Sequence, residues 1–193
     1  MGAGGVAAVL LAAGGGSRWR ASGGSEHKLL ALINHTAVVR LALDHALAAR
    51  LTQTVVVTGA VDLTAVLPDG ITVLHNEHWD QGQSTSLALA LRYAVTQGFE
   101  AVVVGLGDQP FVEPDAWHRV ATANPESPIA VATYHGSRGQ PVRLGAAIWP
   151  LIATTGDEGA RALLRGQPEL VVEVPCSGNP ADIDTMEDLQ RWS

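Results

Sequence analysis

The stretch VAAVLLAAGGGSRW, residues 6–19, constrains this chain more than any other. Val6 to Leu11 form an unbroken apolar run rich in valine and leucine, the pattern of a strand buried on both faces. The run passes through Ala12 and Ala13 into Gly14, Gly15 and Gly16. There the missing Cβ lets backbone N–H groups approach a ligand closely. Ser17 and Arg18 follow, and Lys28 lies a short way on. Two readings stand: a tight turn after a first strand, or a loop that cradles phosphate. No Gly-Lys-Ser or Gly-Lys-Thr closes the loop, and the G-x-G-x-x-G spacing with a later acidic residue is also missing. Neither common nucleotide fingerprint accounts for it.

The 193 residues suit one domain, 1–193, with enough chain to bury a sizeable core. Apolar residues make up 47% of the chain, too many for disorder. No apolar run approaches the roughly 20 residues that span a bilayer, so no membrane role is expected. The first residues lack a basic segment, so Val6 to Leu11 reads as a strand rather than a signal peptide. One cysteine, Cys176, excludes an internal disulfide and fits a reducing, cytoplasmic setting. The formal charge of −7 argues against a nucleic-acid partner. The chain's few cations should therefore matter individually, and Arg18 and Lys28 are two of only twelve.

Strand-length apolar runs alternate with helix-length segments, the pattern of an α/β fold with a mostly parallel sheet and right-handed crossovers. Strands are expected at 6–11, 54–58, 71–74, 101–106, 129–133 and 170–174. Helices are expected at 36–50, 83–97, 114–123, 144–153, 155–165 and 185–192. Residues 19–27 read as a mobile loop and 134–143 as a polar turn.

In an open α/β sheet, ligands sit at the carboxyl ends of the strands, and the candidate residues fall there. Asp108 follows the 101–106 strand at once; beside a triphosphate it is a natural Mg²⁺ ligand, and otherwise it starts a turn before Pro110. Asp182 and Asp184 have the spacing that points two carboxylates the same way in an extended segment. Alternatively, Asp184 or Thr185 caps the last helix, with Glu187 and Asp188 in its first turn. Asn76 to Ser84 leads into a helix whose free N–H groups suit a phosphate or a base carbonyl. His75 and His78 lack the further ligands of a zinc site. Cys176 has no activating partner and reads as a passive thiol.

LAAGGGSR at 11–18, Lys28, Asn76 with Trp79 and Gly82, GDQP at 107–110, RGQPV at 138–142, GDEGAR at 156–161 and DIDT at 182–185 occur in a recognisable order. Together they resemble the molybdenum-cofactor cytidylyltransferases, MobA/MocA-like nucleotidyltransferases in the wider group that includes the guanylyltransferases acting on molybdopterin. The resemblance implies a single Rossmann-like domain of the nucleotide-diphospho-sugar transferase type. Leu11, Ala12, Ala13, Gly14 and Gly15, with Gly82, Gln83 and Ser84, would bind the nucleotide. Arg18 and Lys28 would hold the triphosphate, with Asp108 beside them in the catalytic set. Asp108 and Asp184 would hold Mg²⁺, and Gly139, Pro141, Gly156 and Asp157 would meet the acceptor.

The reaction implied is CMP transfer from CTP to a phosphorylated molybdopterin, with docking to a molybdenum oxidoreductase as a further partnership. Guanylyl transfer, a phospholactate-like or sugar-phosphate acceptor, and a non-catalytic cofactor carrier are the alternatives. Two departures mark this chain: Trp19-Arg20 opens a longer Gly/Ser insert before Lys28, and Gln140 stands where histidine is usual.

Overall fold

The first strand divides its side chains between two layers. β1 (Val6–Ala12) sends Ala8, Leu10 and Ala12 into one apolar cluster and Ala7, Val9 and Leu11 into another. The run is apolar without alternation because both faces are covered. The structure, a computed structural model, describes residues 4–154 and 159–192.

After β1 come a short helix α1 (Ser17–Ala21), a small hairpin of β2 (Leu32–Ile33) and β3 (Thr36–Ala37), and α2 (Val38–Ala48). Then follow β4 (Gln53–Thr58), β5 (Thr72–His75), α3 (Gln83–Gln97), β6 (Ala101–Leu106) and α4 (Pro114–Ala121). The second half contributes β7 (Ile129–Tyr134), β8 (Ser137–Gly145), α5 (Ala160–Gly166), β9 (Val171–Pro175) and α6 (Met186–Gln190).

Seven strands form one sheet in the order β5-β4-β1-β6-β8-β7-β9. β8 runs antiparallel to both its neighbours, and the other pairings are parallel. α2 buries Val39, Ala42, Leu43 and Ala46, at helical spacing, against one face, where α4 adds Ala116, Trp117 and Val120. On the other face α3 buries Leu87, Ala90, Leu91 and Ala94. Truncating a fully buried residue such as Leu43 in this packing costs about 2–5 kcal/mol.

Three sequence expectations need correction. Residues 19–27 are not a free loop: Trp19 lies in α1, is buried, and joins a third apolar cluster with Ala31, Ile33, Val38 and Ile183. Its indole N–H donates to the Glu26 carbonyl at 2.7 Å, which closes the loop on itself. Residues 134–143 are not a turn. His135 and Gly136, both at positive φ, form a two-residue turn, and the chain returns as β8. The helix expected at 144–153 is a strand end followed by a 3-10 turn, Ala146–Leu151.

Arg143 hid that strand, because a charged residue reads as solvent-facing. It is buried in the sheet, and its guanidinium donates to the carbonyls of Ala121, Ala123, Asn124 and Ser127. Burial pulls its pKa down from the usual arginine value. The expected helix 155–165 appears as α5; its residues 155–158 lie outside those described.

Candidate active site

β1 is hydrogen-bonded on one side to β4 and on the other to β6, so the chain reverses its direction of travel across the sheet at β1. Ligands of open α/β sheets sit at such a switch point, beyond the carboxyl ends of the strands. There the structure has a cleft of about 690 Å³. Of the expected nucleotide set, Leu11, Ala12, Ala13, Gly14, Gly15, Arg18, Lys28, Gly82, Gln83 and Asp108 all line it. So do Asp184, then Trp79, Asp80 and Gln81 from the segment 76–84, and, unforeseen, Ser86. Ser84 does not.

Close packing shapes the glycine loop. A Cβ on Gly15 would stand 2.7 Å from the Trp79 ring, so only glycine lets that indole close over the loop. Gly82 precedes α3 at φ 106° and ψ 161°, a conformation open essentially to glycine alone. It turns the first turn of α3, with its positive dipole end, toward the cleft. Asn76 organises this segment from within. Its amide donates to Thr85 Oγ1 at 2.9 Å and Ser86 Oγ at 2.8 Å, and its carbonyl accepts from the His78 N–H.

His27 ties the glycine loop to the lysine. Its Nδ1 accepts from the Leu29 N–H at 3.3 Å and caps the 3-10 turn Lys28–Leu30. The proton therefore belongs on Nε2, which donates to the Gly14 carbonyl at 2.9 Å. Burial pushes His27 below its ordinary pKa, Lys28 and Arg20 push the same way, and the Gly14 carbonyl opposes them without reversing the shift. No motif signals this residue; only the fold brings residue 27 to residue 14.

The charged groups meet in one network. Lys28 Nζ lies 2.5 Å from Asp108 Oδ2 and 2.7 Å from Asp184 Oδ1. Arg18 Nη1 lies 2.5 Å from Asp184 Oδ2. Burial alone would lower the Lys28 pKa, but the Asp108 and Asp184 carboxylates raise it above its ordinary value, so the ammonium is charged. Asp182 accepts from Gln109 Nε2 at 2.7 Å; burial, then the Asp108 charge, raise its pKa. Thr185, not Asp184, caps α6, in a reciprocal capping box with Asp188. That leaves the Asp184 carboxylate to the cleft.

Two observations test whether these residues suit a divalent cation. The Lys28 ammonium already serves as a stand-in cation shared by Asp108 and Asp184. Asp108 Oδ1 is buried and has no hydrogen-bond partner among the described residues. Two carboxylates converging on one cation, with an oxygen to spare, fit a hard, oxygen-seeking ion that also takes phosphate and water ligands. Among the described residues no group of three or more His, Cys, Asp and Glu could hold a metal by itself.

A smaller cavity of about 70 Å³ adjoins the cleft and shares Leu11, Gln83 and Leu106 with it. Its walls are largely apolar, from Leu87, Val104, Val142, Leu144 and Leu164. Ser84 and Gln140 also line it, and Ser84 Oγ and Gln140 Oε1 are buried with no partner among the described residues. Ser84 thus faces this cavity rather than the cleft. Of the RGQPV run, Gln140 and Val142 line it, whereas Gly139 and Pro141 line neither space. Gly156 and Asp157 lie outside the described residues. Burial raises the Cys176 pKa, which keeps it a thiol. No helix among the described residues is long and apolar enough to cross a membrane.

A glycine loop at the switch point, two cations facing two carboxylates and a helix end aimed at the same cleft define a nucleotide-binding α/β protein. Residues 8–172 match the family model described as "MobA-like NTP transferase domain". The chain belongs to this family of nucleotidyltransferases.

It is 34% identical to "Purine catabolism protein PucB" of Bacillus subtilis over 56% of this chain and 55% of that protein, so it spans about half of that relative. It is 30% identical to "Nicotine blue oxidoreductase" of Paenarthrobacter nicotinovorans over 96% of this chain and 95% of that one. The crystal structure of Rv0371c from Mycobacterium tuberculosis is similar, with TM-score 0.85 and 30% identity over 100% of this chain and 98% of that chain. Rv0371c is also solved in complex with manganese, with TM-score 0.77 and 28% identity over 97% of both chains.

Proposed function

We propose that the protein transfers CMP from CTP to the terminal phosphate of a phosphorylated molybdopterin, in a Mg²⁺-dependent reaction that releases pyrophosphate. The observation that carries this reading is the meeting of Arg18, Lys28, Asp108 and Asp184 beside the glycine loop. An acceptor phosphate oxygen attacks the α-phosphorus. The bond to the β-phosphate oxygen breaks, and pyrophosphate leaves with that electron pair. A phosphate monoester has its second pKa near about 6, so the nucleophile is ionised at neutral pH and needs no general base. The work left to the protein is to align two anions and offset their repulsion.

In this reading Arg18 and Lys28 bind the phosphates, while Asp108 and Asp184 hold the magnesium. When bound, the metal withdraws charge from the phosphate oxygens and orients them for in-line displacement. The base rests against Ala12 to Gly14 and Gly82, under Trp79. The acceptor lies across the mouth of the smaller cavity, into which only a donor-bearing ring edge reaches, toward Gln140 Oε1 and Ser84 Oγ. The LAAG opening with the RGxPV and GDxGAR pair resembles the cytidylyl branch more than the guanylyl one, and this favours CTP.

The test is a competition. CTP and GTP are supplied at equal concentration with Mg²⁺ and purified cofactor, and the dinucleotide formed is identified. A cytosine dinucleotide is expected, and a guanine product overturns the base assignment alone. The likeness to nicotine blue oxidoreductase favours a second reading, an electron-transfer role for a nucleotide-type cofactor in the same cleft. That role releases no pyrophosphate with any nucleoside triphosphate, so a pyrophosphate assay separates the two.

A further inference from the structure

We propose that Lys28 occupies the divalent-cation position in the nucleotide-free enzyme and yields it only when a triphosphate arrives to take its ammonium. This inference rests on Asp108 and Asp184 being the metal pair. The metal is then held off by the Lys28 ammonium and enters together with the nucleotide.

Charge balance and burial carry the argument. In the free cleft two cations, Arg18 and Lys28, face two carboxylates, Asp108 and Asp184. The four charges cancel, so the closed network offers a triphosphate little net attraction. A triphosphate carries roughly three to four negative charges at neutral pH, its last pKa being near 6. It can bind strongly only if the pairs exchange: the cations turn to phosphate, and the carboxylates take another cation.

A metal arriving alone faces the converse difficulty. It must displace Lys28 from both carboxylates, and the Lys28 side chain is only 11% exposed. An ammonium expelled from that buried position loses both of its counter-ions at once, which is costly. With the triphosphate present, the displaced ammonium has a phosphate to bind. The two events are therefore coupled, and by linkage each ligand tightens the other by the same factor. Arg18 plays no such part. Among the described residues it pairs with Asp184 alone, its side chain is 76% exposed, and water solvates it readily when the pair opens.

Arg18 also provides the control. Removing either cation changes the site charge by one, but only removing Lys28 vacates the space between the carboxylates. Mn²⁺ binding to nucleotide-free protein, read by electron paramagnetic resonance of the free ion, is compared in wild type, Lys28→Met, Lys28→Gln and Arg18→Met. Circular dichroism confirms that each variant is folded.

The Lys28 variants are expected to bind Mn²⁺ about tenfold or more tightly than wild type, the scale of one close opposite charge. Arg18→Met is expected to stay within about threefold of wild type, as for an exposed pair. Equal tightening by the Arg18 and Lys28 variants makes the effect one of charge alone and overturns the proposal, as does a Lys28 variant that binds like wild type. Mn²⁺ that binds none of the proteins, with or without α,β-methylene-CTP, overturns the metal assignment itself.

If neither Lys28 variant folds, a crystal of the wild-type protein with α,β-methylene-CTP and Mn²⁺ decides. Lys28 Nζ is expected on phosphate, away from Asp108. An ammonium still bridging Asp108 and Asp184 beside bound nucleotide overturns the proposal.

Discussion

The Ile183 amide donates to the Asp108 carbonyl at 2.9 Å, and Ile183 is wholly buried. This backbone link fixes the DIDT segment against the end of β6, so the spacing of Asp108 and Asp184 depends on main chain and core rather than on two flexible side chains. Isosteric replacement of either carboxylate should therefore remove charge without moving the segment. Asp108→Asn and Asp184→Asn are each expected to slow pyrophosphate release about 10²–10³-fold, the scale of one lost electrostatic contact to the reacting phosphates. In each variant Lys28 keeps one carboxylate partner, and far-UV circular dichroism should match wild type. Near-normal turnover in either variant would remove that residue from the site.

Trp19 anchors the segment between the glycine loop and Lys28. It packs in the cluster that contains Ile183, and its N–H closes the loop on the Glu26 carbonyl. Trp19→Ala is expected to cost about 3–5 kcal/mol in urea denaturation, as for a fully buried large aromatic. Trp19→Phe keeps most of the packing and loses the hydrogen bond, at about 1 kcal/mol. If Trp19→Ala unfolds at the wild-type urea midpoint, the segment is not anchored as described.

His27 gives the fold a pH dependence of defined sign. Its folded-state pKa lies below the unfolded value of about 6.5. As pH falls, the unfolded chain takes up the proton first. The contribution of His27 is thus complete above about pH 6.5 and declines as pH drops toward the folded-state pKa. Protonation also removes the Nδ1 acceptor that caps the Lys28 turn. Melting temperature followed from pH 7.5 to 5 should fall less in His27→Gln than in wild type. Equal slopes would show that His27 titrates alike in both states.

Ser84→Ala separates stability from recognition. The Ser84 hydroxyl is buried without a partner among the described residues, a cost of about 1–3 kcal/mol that alanine relieves. The variant is expected to be as stable as wild type or more so. On the proposed reaction, its KM for the phosphorylated molybdopterin should rise roughly tenfold or more, while that for CTP is unchanged. A rise in the CTP KM alone would place Ser84 at the nucleotide after all.

Local pattern carried most of the architecture. Helix 83–97, set between Gly82 and Gly98, and strand 101–106, ended by Gly107, are legible to the residue, because each apolar period is confined to a few consecutive positions. β8 is not, since Arg143 and the run 137–140 hide a strand that pairs with β7 across a two-residue turn and with β6 some forty positions back. The family resemblance groups Ser84 with Gly82 and Gln83 at the nucleotide, and sequence order alone does not show that the helix places Ser84 on the wall of the smaller cavity.

The sequence by itself determined the alternation of strands and helices, the glycine loop after β1, and the chemical types of Arg18, Lys28, Asp108 and Asp184. Those follow from local periodicity and from residues whose charge or missing Cβ has few other uses. Tertiary structure alone decided which of them touch. Lys28 reaches Asp108 across 80 positions and Asp184 across 156, and His27 reaches Gly14 across 13. Contacts at that range depend on how the strands are ordered and on which layer each helix covers. Both are set by the packing of the whole core, and no short stretch of sequence encodes either.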